Sequence, residues 1–234
     1  TTSGITRSAH LLKAMMAFRH LLVTEQLAPE KTKTGYLCME PYKWMFNSCR
    51  IPVAGEDVST SFDPAAHQHV IVVRNGHFFA VDLVNKMTGK ELSVAEIEVQ
   101  LDRIMNDSRT QKMASAPVGA FTAANRDAWL KNREALLSGP SAEQNRKALE
   151  KIESGIIVLA LDSGKPVTFN ERGVAVYGGD ARNRFFDKQQ IVVSENGASG
   201  YIGEHSMMDG SQTLRLNNFM VSALEAGKIE LGGP

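Results

Sequence analysis

The sequence predicts an α/β chain of the α+β kind, a mixed β-sheet flanked by helices. Three observations point there. Asn75-Gly76 and Asn196-Gly197 each sit between strand-like runs, and an Asn-Gly pair accepts positive φ at low cost, which favours tight hairpins. Val70 to Val73 is apolar at every position, as in a strand covered on both faces. Between these strands lie segments with apolar residues at helical spacing and capping residues at their starts, and such a mixture packs as helices against a sheet.

The elements follow in order. From Ile5 to Gln26 the residues Leu11, Leu12, Met15, Met16, Phe18, Leu21 and Leu22 recur at helical spacing, with Ser3 available as a cap. Glu40 to Ser48 reads as a short helix, ended before Pro52, which biases the chain toward extended backbone. Residues 53–67 read as a loop. Gln68 to Arg74 and His77 to Val84 form the clearest hairpin. Ser93 with Glu96 three places on is a capping-box pairing, opening a helix from Val94 to Asn106 along Ile97, Leu101 and Ile104. Val118 to Thr122 is expected as a short strand, Asn125 to Leu137 as a helix holding Trp129, and Ser141 to Ser154 as another after Gly139-Pro140. Ile156 to Leu161 and Gln190 to Ser194 read as strands, and the second turns at Asn196-Gly197 into Tyr201 to Glu204. Gln212 to Val221 places Leu216, Phe219 and Met220 on one helical face. No repeat, low-complexity tract or linker divides these elements, so 1–234 is expected to be a single domain.

Composition narrows the function. At 234 residues and 43% hydrophobic content the chain can bury a sizeable core, and 26 basic residues balance 26 acidic ones. No broad field draws it to nucleic acid or an anionic membrane. The longest apolar run, Gly155 to Leu161, is far short of the roughly 20 residues a transmembrane segment needs. Cys38 and Cys49 have no metal-type spacing to other Cys or His, so a reduced intracellular thiol pair is expected, with no metal site. His10 and His20 are read as ordinary helix residues. The chain starts Thr1-Thr2-Ser3-Gly4 and stops at Pro234, and both ends are expected to be cut points.

Chemistry concentrates in His205-Ser206-Met207-Met208-Asp209-Gly210. A histidine just past a strand end, with an acid four places on and a helix following, is a rigid mount for a catalytic group. An imidazole suits the work because its ordinary pKa of about 6.5 lets it take and return a proton near neutral pH. Asp209 is expected to brace the loop, through a cation or backbone N–H groups, and not to accept a proton from the histidine in triad fashion, since four residues of loop need not face each other. Gly210 is expected to permit the turn into the next helix.

Several segments, in order, resemble the carnitine/choline acyltransferase family, and most of all its acetyl-transferring members. They are Tyr42-Lys43-Trp44-Met45-Phe46-Asn47-Ser48-Cys49-Arg50-Ile51-Pro52, the hairpin Val70 to Asp82, Pro117-Val118-Gly119, Asn125-Arg126-Asp127-Ala128-Trp129, Asn183-Arg184-Phe185-Phe186-Asp187-Lys188, and Glu204-His205-Ser206 with Asp209-Gly210. The resemblance implies the fold of CoA-dependent acyltransferases, shared with chloramphenicol acetyltransferase, in which the HxxxDG pattern recurs. It also implies that this chain is the larger part of the first of two similar halves that face each other across a tunnel.

By the same resemblance His205 is the general base. It removes the proton from the carnitine hydroxyl as that oxygen attacks the thioester of acyl-CoA, a contribution of about 10² to 10⁴-fold. Coenzyme A is a substrate, and no permanently bound cofactor is expected. In the family a Ser-Thr-Ser motif in the second half serves the oxyanion; Ser59-Thr60-Ser61 spells it but precedes the first hairpin, so the match is accidental. The chain alone is therefore expected to be nearly inactive. Arg50, Arg184 and Asp187 are read as structural ion pairs, and Trp44, Trp129, Phe78 and Phe79 as core aromatics. Two other readings stand beside this one: a self-sufficient trimeric acyltransferase, and a binding domain that keeps the fold without turnover. The resemblance points to an intracellular protein of the peroxisome or mitochondrion.

Overall fold

The computed structural model describes residues 2–233. Its elements are α1 (Gly4–Val23), β1 (Ser48–Ile51), β2 (Val58–Ser61), β3 (His69–Arg74), β4 (His77–Asp82), α2 (Val94–Met105), α3 (Arg126–Ser138), α4 (Ala142–Ser154), β5 (Val158–Asp162), α5 (Phe169–Tyr177), β6 (Gln190–Ser194), β7 (Ser199–Ile202) and α6 (Gly210–Glu225), with short 3₁₀ turns between them. The main sheet runs β4-β3-β5-β6-β7, and β1 and β2 form a separate antiparallel pair. The three central strands are parallel, whereas β4 and β7 run antiparallel at the two edges. This is the mixed sheet expected from the sequence.

Alternation along the central strands explains why both sheet faces are dry. Val70, Val72, Leu159, Leu161, Ile191 and Val193 point to the face covered by α1, α2 and α6, where Leu12, Met15, Ile97, Leu101, Leu216 and Met220 meet them. Ile71, Val73, Val158, Ala160 and Val192 point the other way, against Ile152 of α4, Phe185 and Cys49. At about 1.5–3 kcal/mol per buried aliphatic side chain, these two layers dominate the favourable side of folding. Helix starts follow the capping residues. Ser3 accepts from the Thr6 N–H, and Ser93 and Glu96 make both bonds of the capping box. At the β3–β4 turn Asn75 (φ 48°) and Gly76 (φ 74°) both occupy the left-handed region that a two-residue hairpin requires.

Four local expectations are corrected. Val118–Ala123 is a 3₁₀ turn, not a strand: it opens after Pro117, the Thr122 hydroxyl donates back to the Gly119 carbonyl, and Gly119 lies so close to the Arg184 backbone that an added Cβ would be 2.0 Å from its oxygen. The helix expected over Glu40–Ser48 stops at Trp44, and Ser48 instead opens β1. The loop expected over 53–67 contains β2, which pairs with β1 from Ser61 opposite Ser48 to Val58 opposite Ile51. The segment after β5, for which no element is expected, holds α5, opened by a Thr168–Glu171 capping box. Of the expected core aromatics Trp129 is fully buried, while Trp44, Phe78 and Phe79 are half-buried. Among the described residues no helix is long and apolar enough to cross a membrane.

Candidate active site

The sheet delivers the histidine. Strand β7 ends at Ile202, and His205 follows within three residues, before α6 begins at Gly210. The intervening loop is pinned by Met208, which is 4% exposed and belongs to the helix-covered core. Asp209 caps α6, and its carboxylate accepts the Gly210 N–H at 2.6 Å, one of the four N–H groups a helix start leaves without partners.

The same oxygen of Asp209 lies 3.2 Å from Nε2 of His205. One Asp209 oxygen thus holds a backbone N–H at the helix start and also lies against the histidine ring. The backbone at this cap is extended, φ −96° and ψ 174°, as is usual for a helix N-cap. The Gly210 N–H and, second, the His205 ring hold the Asp209 carboxyl below its usual range. In this rotamer a neutral ring donating from Nε2 keeps its lone pair on Nδ1, the nitrogen free to accept a proton. Gly210 is outside the left-handed region, and an added Cβ there would meet nothing within 4 Å. The turn into α6 thus does not itself demand glycine, and open space lies over that backbone.

Both acidic and basic groups are on the surface: the His205 side chain is 76% exposed and that of Asp209 87%. The tunnel implied by the resemblance is not formed by the described residues. Two sizeable grooves lie elsewhere. One of about 1130 Å³ is lined by Lys13, His20, Glu91, Glu96, Phe219 and Lys228 among others, and one of about 550 Å³ by Leu22, Leu27, Met39, Tyr42, Phe46 and Phe62 among others. Among the described residues no group of three His, Cys, Asp or Glu is placed to hold a metal ion. Of the remaining histidines, His69 is buried with Nε2 2.8 Å from the Lys151 carbonyl, a structural role, and His10 Nδ1 sits 2.7 Å from the Thr6 carbonyl one turn back in α1.

Behind the loop lies a charged network that sequence reading caught only in part. Asp187, 2% exposed, accepts from Arg126 Nη1 at 2.6 Å and from Trp129 Nε1 at 2.8 Å. Arg126 also bonds Asp57 at 2.6 Å, Asp57 bonds Arg50 at 2.5 Å, and Arg50 Nη1 stands 3.6 Å from Glu204. Arg184 makes a bidentate pair with Asp162, both bonds at 2.8 Å. Arg50, Arg184 and Asp187 are thus ion-paired, as expected. Asp57, Arg126 and Glu204 were not singled out, although Arg126 and Glu204 lie inside the quoted segments. Beside this network Lys188, 1% exposed, donates to the Ser48 and Glu153 carbonyls at 2.6 and 2.7 Å. Burial brings its pKa down to about 8.

The sequence model described as Choline/Carnitine o-acyltransferase matches residues 1–231. The chain belongs to that family. Among curated relatives, a highly reducing polyketide synthase from Aspergillus luteorubrus is 34% identical over 225 residues, 95% of this chain and 7% of the synthase. The mitochondrial carnitine O-acetyltransferase of Saccharomyces cerevisiae is 29% identical over 94% of this chain and 33% of the enzyme, and the human carnitine O-acetyltransferase 29% over 92% and 35%. The chain therefore spans 7% of the synthase and about a third of each acetyltransferase. Membership of the choline/carnitine O-acyltransferase family agrees with the mixed sheet and its flanking helices.

Proposed function

We propose that this chain carries the proton-transfer side of a carnitine O-acyltransferase site, with His205 as general base. The observation that carries the reading is the His205 ring, presented to solvent at the end of the sheet and contacted by Asp209. In the forward direction His205 takes the hydroxyl proton of carnitine as that oxygen attacks the thioester carbonyl of acyl-CoA. The tetrahedral intermediate then loses the carbon–sulfur bond, and the coenzyme A thiolate recovers the proton from the imidazolium. Asp209 contacts the ring through the same oxygen that caps α6, and so ties the histidine to the start of that helix. Coenzyme A and carnitine are substrates; nothing in this scheme needs a permanently bound cofactor.

Exposure of the ring also supports the incomplete character of the site. An oxyanion donor worth about 2.7–4 kcal/mol and a water-excluding wall would come from a second half of the same enzyme, with 1–234 forming one domain of the first half. The isolated chain is accordingly nearly inactive. The yeast relative is a mitochondrial carnitine O-acetyltransferase, which supports a mitochondrial setting.

The identity of 34% to a polyketide synthase favours a second reading of the donor, in which a polyketide acyl thioester replaces the short-chain acyl-CoA at the same histidine. Substrate exchange in the whole enzyme separates them. Release of coenzyme A thiol from acetyl-CoA that depends on carnitine supports the first reading. Turnover confined to longer, functionalised acyl thioesters supports the second, and absence of acyl transfer from any thioester overturns both.

A further inference from the structure

His205 is held weakly at its ring and strongly at its backbone. Among the described residues the ring has one hydrogen-bond partner, exposed Asp209, whereas the residues on either side are held by buried groups. The β6–β7 ladder ends with Gln190 opposite Ile202. Beyond that point the Gln189 side chain takes over the pairing. Its Oε1 accepts the Glu204 N–H at 3.2 Å and its Nε2 donates to the Glu204 carbonyl at 3.1 Å, so one amide makes both bonds that a strand neighbour would make. The Tyr201 hydroxyl donates to the same Oε1 at 3.0 Å, while the Glu204 N–H and carbonyl, one donor and one acceptor, fix which way round the amide lies. Gln189 is 3% exposed and Glu204 5%.

On the far side of the histidine, the Glu204 carboxylate turns back and accepts the Ser206 N–H at 3.1 and 3.2 Å. Arg50 stands 3.6 Å behind that carboxylate and ties it to Asp57. The backbone before and after His205 is therefore fixed through one buried residue, Glu204, held in turn by Gln189 and Arg50. A buried carboxylate with a cation at 3.6 Å is a poor source of stability, because desolvation offsets the attraction. It is a good source of fixed geometry, and a displacement of about 1 Å at a reacting group can cost about 10² in rate.

We propose that Gln189 and Glu204 are positioning residues that set where the His205 ring meets its substrate, by clamping the backbone on both sides of it. The proposal rests on the reading of His205 as the base. Neither residue reaches the reacting atoms.

The test uses steady-state kinetics of the whole enzyme with acetyl-CoA and carnitine. Gln189→Met keeps the side-chain length and removes both backbone bonds. It lowers kcat by about 10 to 100-fold while both KM values stay within about threefold, because the misplaced base affects chemistry and not binding. Glu204→Gln, which still offers an oxygen to the Ser206 N–H, recovers part of what Glu204→Ala loses. Unchanged kcat in Gln189→Met, or a loss expressed wholly in KM, overturns the proposal. Should Gln189→Met not fold, Tyr201→Phe takes its place, since it frees one partner of Oε1 and leaves the backbone intact. It lowers kcat by about 2 to 5-fold, and an unchanged kcat overturns the proposal equally. A parallel His205→Ala variant separates the two claims: if it keeps full turnover the base reading fails, and if it is dead while Gln189→Met is normal only the clamp fails.

Discussion

Replacing Asp187 by Asn tests whether the buried charge network is a structural frame for the histidine loop. Asp187 is 2% exposed, and its two oxygens take Arg126 Nη1 and Trp129 Nε1 separately. Burial pushes its carboxyl above the ordinary range against the pull of Arg126 and Trp129. Asn keeps the shape, but its NH₂ must face one of those donors, and leaving a buried donor unmatched costs about 1–3 kcal/mol. Removing one partner of a buried ion pair costs about 3–5 kcal/mol; Arg126 retains Asp57 at 2.6 Å and its side chain is 25% exposed, which takes the figure below that range. We expect about 3 kcal/mol in total, read as a lower urea midpoint by circular dichroism at 222 nm. The thermal midpoint should fall by roughly 6–12 °C, at about 2–4 °C per kcal/mol for a chain of this size. Pairing the change with Trp129→Phe should show a coupling of about 1 kcal/mol or more. A loss below about 1 kcal/mol, with no coupling, would refute the claim that Asp187 organises these two elements.

Further outcomes follow from other parts of the fold. Ser93→Ala removes the cap of α2 and should cost about 1 kcal/mol in urea denaturation, with the Glu96 N–H losing protection first in hydrogen exchange. Lys188 has a folded pKa of about 8 against 10.5, so between those values the unfolded chain binds the extra proton and stability gains as pH rises. The stability difference between the parent and Lys188→Met should therefore shift toward the parent as pH goes from 8 to 10.5, and a flat difference contradicts the burial of a charged lysine. The Asp209 carboxyl is held below 3.8, so its support of α6 is present above that pH and lost as pH falls through the lower, folded value. Gly210 N–H exchange should accelerate in that acid window in the parent and show no such step in Asp209→Asn.

What the sequence made legible was whatever repeats with the period of its element. The Val70–Val73 run, the Asn75-Gly76 turn and the Ser93–Glu96 box each combine a periodic segment with a punctuating residue, and each lies where expected. Helix α5 has its own Thr168–Glu171 box but buries none of its nine residues, so no apolar stripe announces it. Strand β2 is Val-Ser-Thr-Ser, largely exposed, and owes its conformation to β1. Val118–Thr122 shows the converse failure, a short apolar run whose packing against Arg184 decides for a tight turn. At the site the motif gave His205 and Asp209 but not their contact, since a loop has no fixed period to predict it. Gln189 and Glu204 were hidden because side-chain bonds to backbone 2 to 15 residues away leave no pattern in the chain.

Turnover of acetyl-CoA and carnitine by the whole enzyme carrying His205→Ala, set against its parent, bears most directly on the central claim. An imidazole that moves the proton in both directions predicts less than about a tenth of parental kcat with the fold intact by circular dichroism. A variant that keeps more than that contradicts it.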